Sequence, residues 1–234
     1  MLEVRDLRYS YPDGHEALRG VTFSLSDGEK VALVGANGSG KSTLLLHLAG
    51  AVDVQAGRIS FRGESSREAL RRNVGLTFQD ADDEILMPTV LEDVAFSLIA
   101  GGMPVRDAYE RSMQMLGALG VSHLADRAAH KLSGGEKRMV SFAGVLVREP
   151  EVLALDEPTA GLDPRARRRV INFLMKSDKT IILATHDLDM ALDVCSRAII
   201  LSEGRVACEG SLPELFRDKN ILEANGLELP LRYA

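Results

Sequence analysis

A chain of 234 residues is long enough for one large domain or for two lobes around a shared core. Its hydrophobic fraction of 45% is ordinary for a globular protein, and its formal net charge of −6 excludes an overall basic field for DNA or RNA. No apolar run approaches the ~20 residues of a membrane span, and MLEVRDLRYS carries charges where the apolar core of a leader would lie.

A soluble protein is therefore expected, with any membrane role exercised through a partner chain. Cys195 and Cys208 stand far apart without metal-ligand spacing and read as reduced, small core residues in a reducing compartment. Basic clusters at 67–72 and 165–169 read as solvated helix faces.

From Leu2, LEVRDLRYSY alternates apolar and polar residues and predicts a strand. PDGH at 12–15 is turn chemistry, ALRGVTFSLS at 17–26 is a second alternating strand, and DGE at 27–29 turns again. GRISFRG at 57–63 adds a short strand, so an antiparallel lobe is expected near the N-terminus.

KVALV at 30–34 is a short buried strand, and STLLLHLAG at 42–50 predicts a helix stopping near Gly50. Between them lies GANGSGKST, the context that the G-x-x-x-x-G-K-[ST] pattern requires. Gly35, Gly38 and Gly40 permit backbone turned inward on a phosphate chain, and the helix dipole adds positive potential there. Gly35, Asn37, Gly38, Ser39, Gly40, Lys41, Ser42 and Thr43 are the expected phosphate-binding set. Lys41 would reach the β- and γ-phosphates, and the Ser42 hydroxyl would ligate Mg²⁺. A glycine-rich turn that binds nothing is the bland alternative.

NVGLTFQ at 73–79 reads as a buried strand ending in an amide, and DADDEILMPTVLEDVAFSLIAGGMP then mixes carboxylates with apolar residues. Residues 105–119 have helical spacing with Gly120 as the stop. In LSGGE at 132–136, Ser133 and Glu136 have capping-box spacing and start a long helix. VLALDEP at 152–158 is a buried strand ending in two carboxylates, with Asp156 placed for a Mg²⁺ shell and Glu157 for polarising a water. AGLD follows at 160–163, the strand of KTIILATHD ends at His186, and 197–210 predicts a closing hairpin with its turn near Glu203 and Gly204. These alternations predict an α/β fold: a phosphate-loop, RecA-like core with a mostly parallel sheet over 1–79 and 150–234, and a helical lobe inserted over 80–149.

In this order the motifs resemble the ATP-binding cassette family, the ATPase subunits of ABC transporters. LSGGE is the most specific of them. The resemblance implies that Tyr11 stacks on adenine, that Gln79 reaches the Mg²⁺ and the attacking water, and that His186 reaches the γ-phosphate. It implies that Ser133, Gly134 and Gly135 face the γ-phosphate held by an opposite protomer, with Asp163 lining the seam. ATP and Mg²⁺ are then the cofactors, and hydrolysis follows head-to-tail dimerisation, as a homodimer or as a heterodimer with a paralogue.

YSYPDG at 9–14, FQDADDEIL at 78–86 and the stretch 209–230 resemble the cobalt, nickel and vitamin importers of the energy-coupling-factor type, although Asp80 and Ala81 stand where that group more often has Asn-Pro. This implies a transmembrane coupling subunit and a membrane substrate-capture subunit as partners, and a peripheral place on the cytoplasmic side of the cell membrane. It further implies that a partner helix docks in the groove bordered by 79–102, against Asp80, Asp82, Asp83 and Glu84. A heme or lipid exporter subunit fits these stretches as well. Chromosome-maintenance and DNA-repair ATPases share LSGGE, but heptads are absent between Lys41 and Leu132 and no nucleic-acid partner is expected. Phosphate-loop kinases have no task for LSGGE.

Overall fold

The computed structural model describes residues 1–78 and 86–233. The predicted role of Gln79 and the docking carboxylates Asp80, Asp82, Asp83 and Glu84 lie outside the described residues. In chain order the chain forms β1 (Leu2–Ser10), β2 (Glu16–Leu25), β3 (Lys30–Val34), α1 (Lys41–Leu48), β4 (Ala56–Phe61), α2 (Arg67–Asn73) and β5 (Val74–Thr77). Then follow α3 (Val90–Ala100), α4 (Val105–Ala118), α5 (Gly134–Leu146), β6 (Val152–Asp156), α6 (Pro164–Lys176) and β7 (Thr180–Ala184). The chain continues through α7 (Leu188–Val194), β8 (Arg197–Ser202), β9 (Arg205–Ser211), α8 (Leu212–Leu215) and α9 (Lys219–Ala224).

Two compact units emerge. The first comprises Met1–Leu76, Glu151–Asp156 and Ser177–Ala234; the second comprises Thr77–Pro150 and Glu157–Lys176. The sequence division leaves 157–176 in the core, whereas α6 groups with the helices of the second unit.

In the first unit, β1 and β2 alternate buried and exposed side chains, so one face of an antiparallel pair is dry. Pairing sets Leu2 opposite Leu25 and Val4 opposite Phe23, and β4 completes the order β2-β1-β4. The runs in β6 and β7, and β3 from Val31 onward, are buried throughout, the pattern of a parallel sheet covered on both faces. Their sheet has the order β5-β6-β7-β3-β8-β9, with β3, β6, β7 and β8 parallel and β9 returning antiparallel to β8. One core joins the sheets: Val4, Leu7 and Phe23 on one side, Leu33, Ile182 and Ile199 on the other, and Leu44, Leu45 and Leu48 of α1 with both. Helix α1 is buried almost all round, which is why it reads as continuously apolar rather than amphipathic.

The basic stretch at 67–72 does more than solvate a helix face. Arg67 donates from Nε to the Gly50 carbonyl (2.8 Å) and from Nη2 to that of Ala51 (2.8 Å), and Arg71 Nε reaches Gly50 (3.0 Å). Two guanidinium groups thus satisfy carbonyls just past the end of α1, where cations are favoured by the helix dipole.

In the second unit, capping boxes start two helices. Thr89 and Glu92 begin α3, and Ser133 and Glu136 begin α5, each arrangement being worth about 1 kcal/mol. Arg111 ties α4 to the end of α5 through the Val147 carbonyl (3.0 Å) and Glu149 (2.9 Å). Phe142 of α5 meets Phe173 of α6 edge to face at 5.7 Å. Among the described residues, no helix is long and apolar enough to cross a membrane.

Candidate functional site

The loop between β3 and α1 is shaped by close approach. A Cβ on Gly35 would lie 2.1 Å from the Leu201 carbonyl oxygen, and one on Gly40, at φ 104°, 2.6 Å from that of Ala17. No side chain fits at either place, so the loop backbone packs onto its surroundings. Lys41 opens α1, is 8% exposed, and donates from Nζ to the carbonyl oxygens of Gly35 (2.8 Å) and Ala36 (3.0 Å). The Ser39 hydroxyl is buried and has no hydrogen-bond partner among the described residues. Asn37, Gly38 and Ser42 are exposed. This cradle of backbone at a helix N-terminus, with a cation and an unmatched hydroxyl inside it, fits an oxyanion chain.

The strand order sets β6, β7 and β3 side by side, all pointing the same way. Their carboxyl ends therefore bring together Asp156, the residues after Ala184, and the loop. Asp156 is 6% exposed and paired in register with Ala184, two residues before His186. His186 is exposed, and its backbone is held in a tight turn. The Asp187 N–H donates to Thr185 Oγ1 (3.0 Å), Asp187 Oδ1 accepts from Met190 N–H (2.8 Å), and the His186 carbonyl accepts from Leu188 N–H (3.1 Å). Among the described residues, no three His, Cys, Asp or Glu side chains cluster as metal ligands. A divalent cation here would rest on Ser42, Asp156 and phosphate oxygens, a set suited to Mg²⁺.

Tyr11 hydrogen-bonds through its hydroxyl to Thr43 Oγ1 at 2.9 Å, with Tyr9 edge-on at 5.1 Å and the His15 ring nearly parallel at 6.4 Å. Sequence reading missed the residue beneath this cluster. His47 is fully buried, packs edge to face on Tyr9 at 4.6 Å, and places Nδ1 2.7 Å from the Thr43 carbonyl oxygen. Burial holds its pKa below the ordinary histidine value. The i, i+4 spacing of Thr43 and His47 was the available signal.

The second unit carries the remaining candidates. Glu157 directly follows Asp156 and has a left-handed backbone, φ 46°, which is strained for any residue with a Cβ. Ser133 Oγ donates to Glu136 Oε2 (2.9 Å) and accepts from the Glu136 N–H (3.3 Å), while Arg127 pairs with Glu136 at 2.9 Å. The hydrogen bonds from Ser133 hold the Glu136 carboxyl below its usual range. Gly135 lies close to the 160–163 loop: a Cβ on it would be 3.4 Å from the Gly161 carbonyl oxygen. Asp163 accepts from the N–H groups of Arg165 (2.8 Å) and Ala166 (3.0 Å), so it caps α6, and those bonds lower its pKa. Arg138, buried on α5, donates to the carbonyl oxygen of Phe78, the residue before Gln79. Only tertiary structure reveals that link.

The family model described as ABC transporter matches residues 18–160. The chain belongs to the ABC transporter family. A Gloeobacter violaceus protein named for ABC transporter ATP binding is 51% identical, covering 98% of this chain and 97% of its own. The energy-coupling factor transporter ATP-binding protein EcfA of Methanothermobacter thermautotrophicus is 42% identical, covering 98% of this chain and 77% of its own. The solved structure of cbiO1 from Clostridium perfringens, part of the ABC transporter complex cbiONQ, has a TM-score of 0.80 at 38% identity, over 95% of this chain and 93% of that one. The chain is thus an ATP-binding ATPase subunit of a transporter, and ATPases of this family work as dimers with transmembrane components.

Proposed function

We propose that this chain hydrolyses MgATP at the carboxyl ends of β3, β6 and β7 and drives the import of cobalt, nickel or a vitamin. The observation that carries the reading is the alignment of the Lys41 loop, Asp156 and His186 at the ends of three neighbouring parallel strands. Lys41 and the loop N–H groups hold the phosphates, Tyr11 stacks on adenine, and Ser42 and Asp156 hold Mg²⁺ together with Gln79. Mg²⁺, when bound, neutralises charge developing on the phosphates. Glu157 orients or deprotonates the attacking water, and its strained backbone supports a constrained role. His186 contacts the γ-phosphate.

Lys41 and Ser133 lie in separate units of the chain. On this reading a phosphate held by the loop is served by Ser133, Gly134 and Gly135 of a second copy. Two copies head-to-tail therefore complete two sites, with Asp163 at the seam, and hydrolysis releases them. The EcfA likeness and the cbiO1 likeness support the import reading. On that reading the chain sits on the cytoplasmic face, against a transmembrane coupling subunit and a membrane substrate-capture subunit. Cells expressing the Glu157→Gln form in place of the natural one should accumulate less of one of these solutes. Undiminished cobalt, nickel and vitamin content in those cells would overturn the import reading.

A further inference from the structure

Residues 226–233 pass the phosphate loop at one end and clasp helix α7 at the other, both within the first unit. Gly226, at φ 69°, is packed so that a Cβ there would lie 3.3 Å from the Ala36 Cβ. Ala36 is the loop residue whose carbonyl oxygen accepts from Lys41. Further along, the N–H groups of Leu231 and Arg232 donate to the two oxygens of Asp189, each at 3.1 Å. The Arg232 guanidinium reaches Asp193 at 2.7 Å and Asp189 at 3.8 Å. The turn is closed by Tyr233 N–H to the Pro230 carbonyl (2.9 Å), with the Tyr233 ring under Arg217 at 5.0 Å.

Helix α7 needs such support. Its seven residues are too few for a helix stable by itself. Asp189 and Asp193 stand four apart on one face, where like charges repel. A guanidinium laid across both carboxylates converts that repulsion into attraction and holds α7 to segment 226–233. The residue preceding α7 is its N-cap, Asp187, and the one before that is His186.

From this geometry we infer that segment 226–233 is a positioning strap for the ATP site. Arg232 fixes α7, and through it His186, while Gly226 sets the strap against the phosphate loop at Ala36. Arg232 touches no substrate; it is a positioning residue, and its role rests on the assignment of His186 to the γ-phosphate.

The test is a cycle of ATP turnover measurements on the full chain with Arg232→Ala, His186→Ala and the double variant, each with nucleotide affinity and a thermal melt. Arg232 is half exposed, so its loss should leave the fold intact. Arg232→Ala is expected to lower kcat about three- to tenfold with affinity almost unchanged. In the His186→Ala background the same change should alter kcat less than about twofold, because the group it positions is gone. Arg232→Lys, which keeps charge without the fork, should recover part of the loss. Gly226→Val, pressing on Ala36, should weaken nucleotide affinity. An unaltered kcat in Arg232→Ala, or a loss repeated in full without His186, overturns the strap while leaving the proposed site intact. Unaffected turnover in His186→Ala alone removes the assignment of His186, and the strap with it. Unweakened nucleotide binding by Gly226→Val overturns the contact at Ala36.

Discussion

Lys41 presses its ammonium against the carbonyl oxygen of Gly35 at 2.8 Å, six residues back along the same loop, so the cation is held inside the turn it serves. A lysine on an open surface would lose side-chain entropy on meeting a phosphate. Here much of that loss is already incurred in folding, and the carbonyl of Ala36 at 3.0 Å shares the restraint. Lys41→Ala should therefore lower nucleotide affinity by about tenfold or more, since a charge-assisted contact to phosphate disappears. Titration with a fluorescent ATP analogue measures this, and unchanged affinity would remove Lys41 from the phosphate site.

Glu157 stands next to Asp156, yet the two have different tasks under the proposed mechanism. Replacing Glu157 with Gln keeps size and hydrogen bonding but removes basicity. Turnover should fall by roughly a hundred- to ten-thousand-fold, about 3–5 kcal/mol of barrier, with MgATP still bound. Near-normal steady-state hydrolysis in this variant would contradict the assignment.

His47 predicts a pH dependence. Its folded pKa lies below the unfolded value because burial disfavours the imidazolium, and Tyr9 faces it. The unfolded chain therefore takes up the proton first. The stabilisation is complete above the unfolded value near 6.5 and is lost as pH falls through it toward the lower folded value. Urea denaturation at a series of pH values from about 7.5 to 5.5 should show natural protein losing stability more steeply than His47→Gln. Parallel slopes for the two would show that His47 contributes nothing to this dependence.

Features encoded within a few neighbouring residues were legible from sequence. The aliphatic run before Gly35, the glycine spacing, and the Ser133–Glu136 capping box each state a local structure that the fold contains. Features built by long-range contact were not. Arg67 and Arg71 read as solvent-facing charge, yet their guanidinium groups satisfy carbonyls at the end of α1. His47 read as one more residue of an apolar helix, because nothing in the sequence places Tyr9 against it. The clasp of Arg232 on Asp189 and Asp193 joins side chains some forty residues apart, and the ring of Phe173 on α6 meets Phe142 of α5 across thirty residues of chain.

Under the proposed mechanism, the phosphate loop of one copy is completed by the Ser133 helix start of another. Mixing two inactive variants probes this pairing. Lys41→Ala spoils the loop, and Ser133→Arg spoils the surface offered to the partner while leaving ATP binding by the single chain nearly intact. Each alone should hydrolyse ATP negligibly, and Ser133→Arg in a Glu157→Gln background should stay monomeric with ATP on size-exclusion chromatography. In an equimolar mixture, mixed dimers carry one intact site of two, so hydrolysis should return, to at most about half of the natural rate. A mixture as inactive as its parts, or a Ser133→Arg form that dimerises normally with ATP, would contradict the shared site.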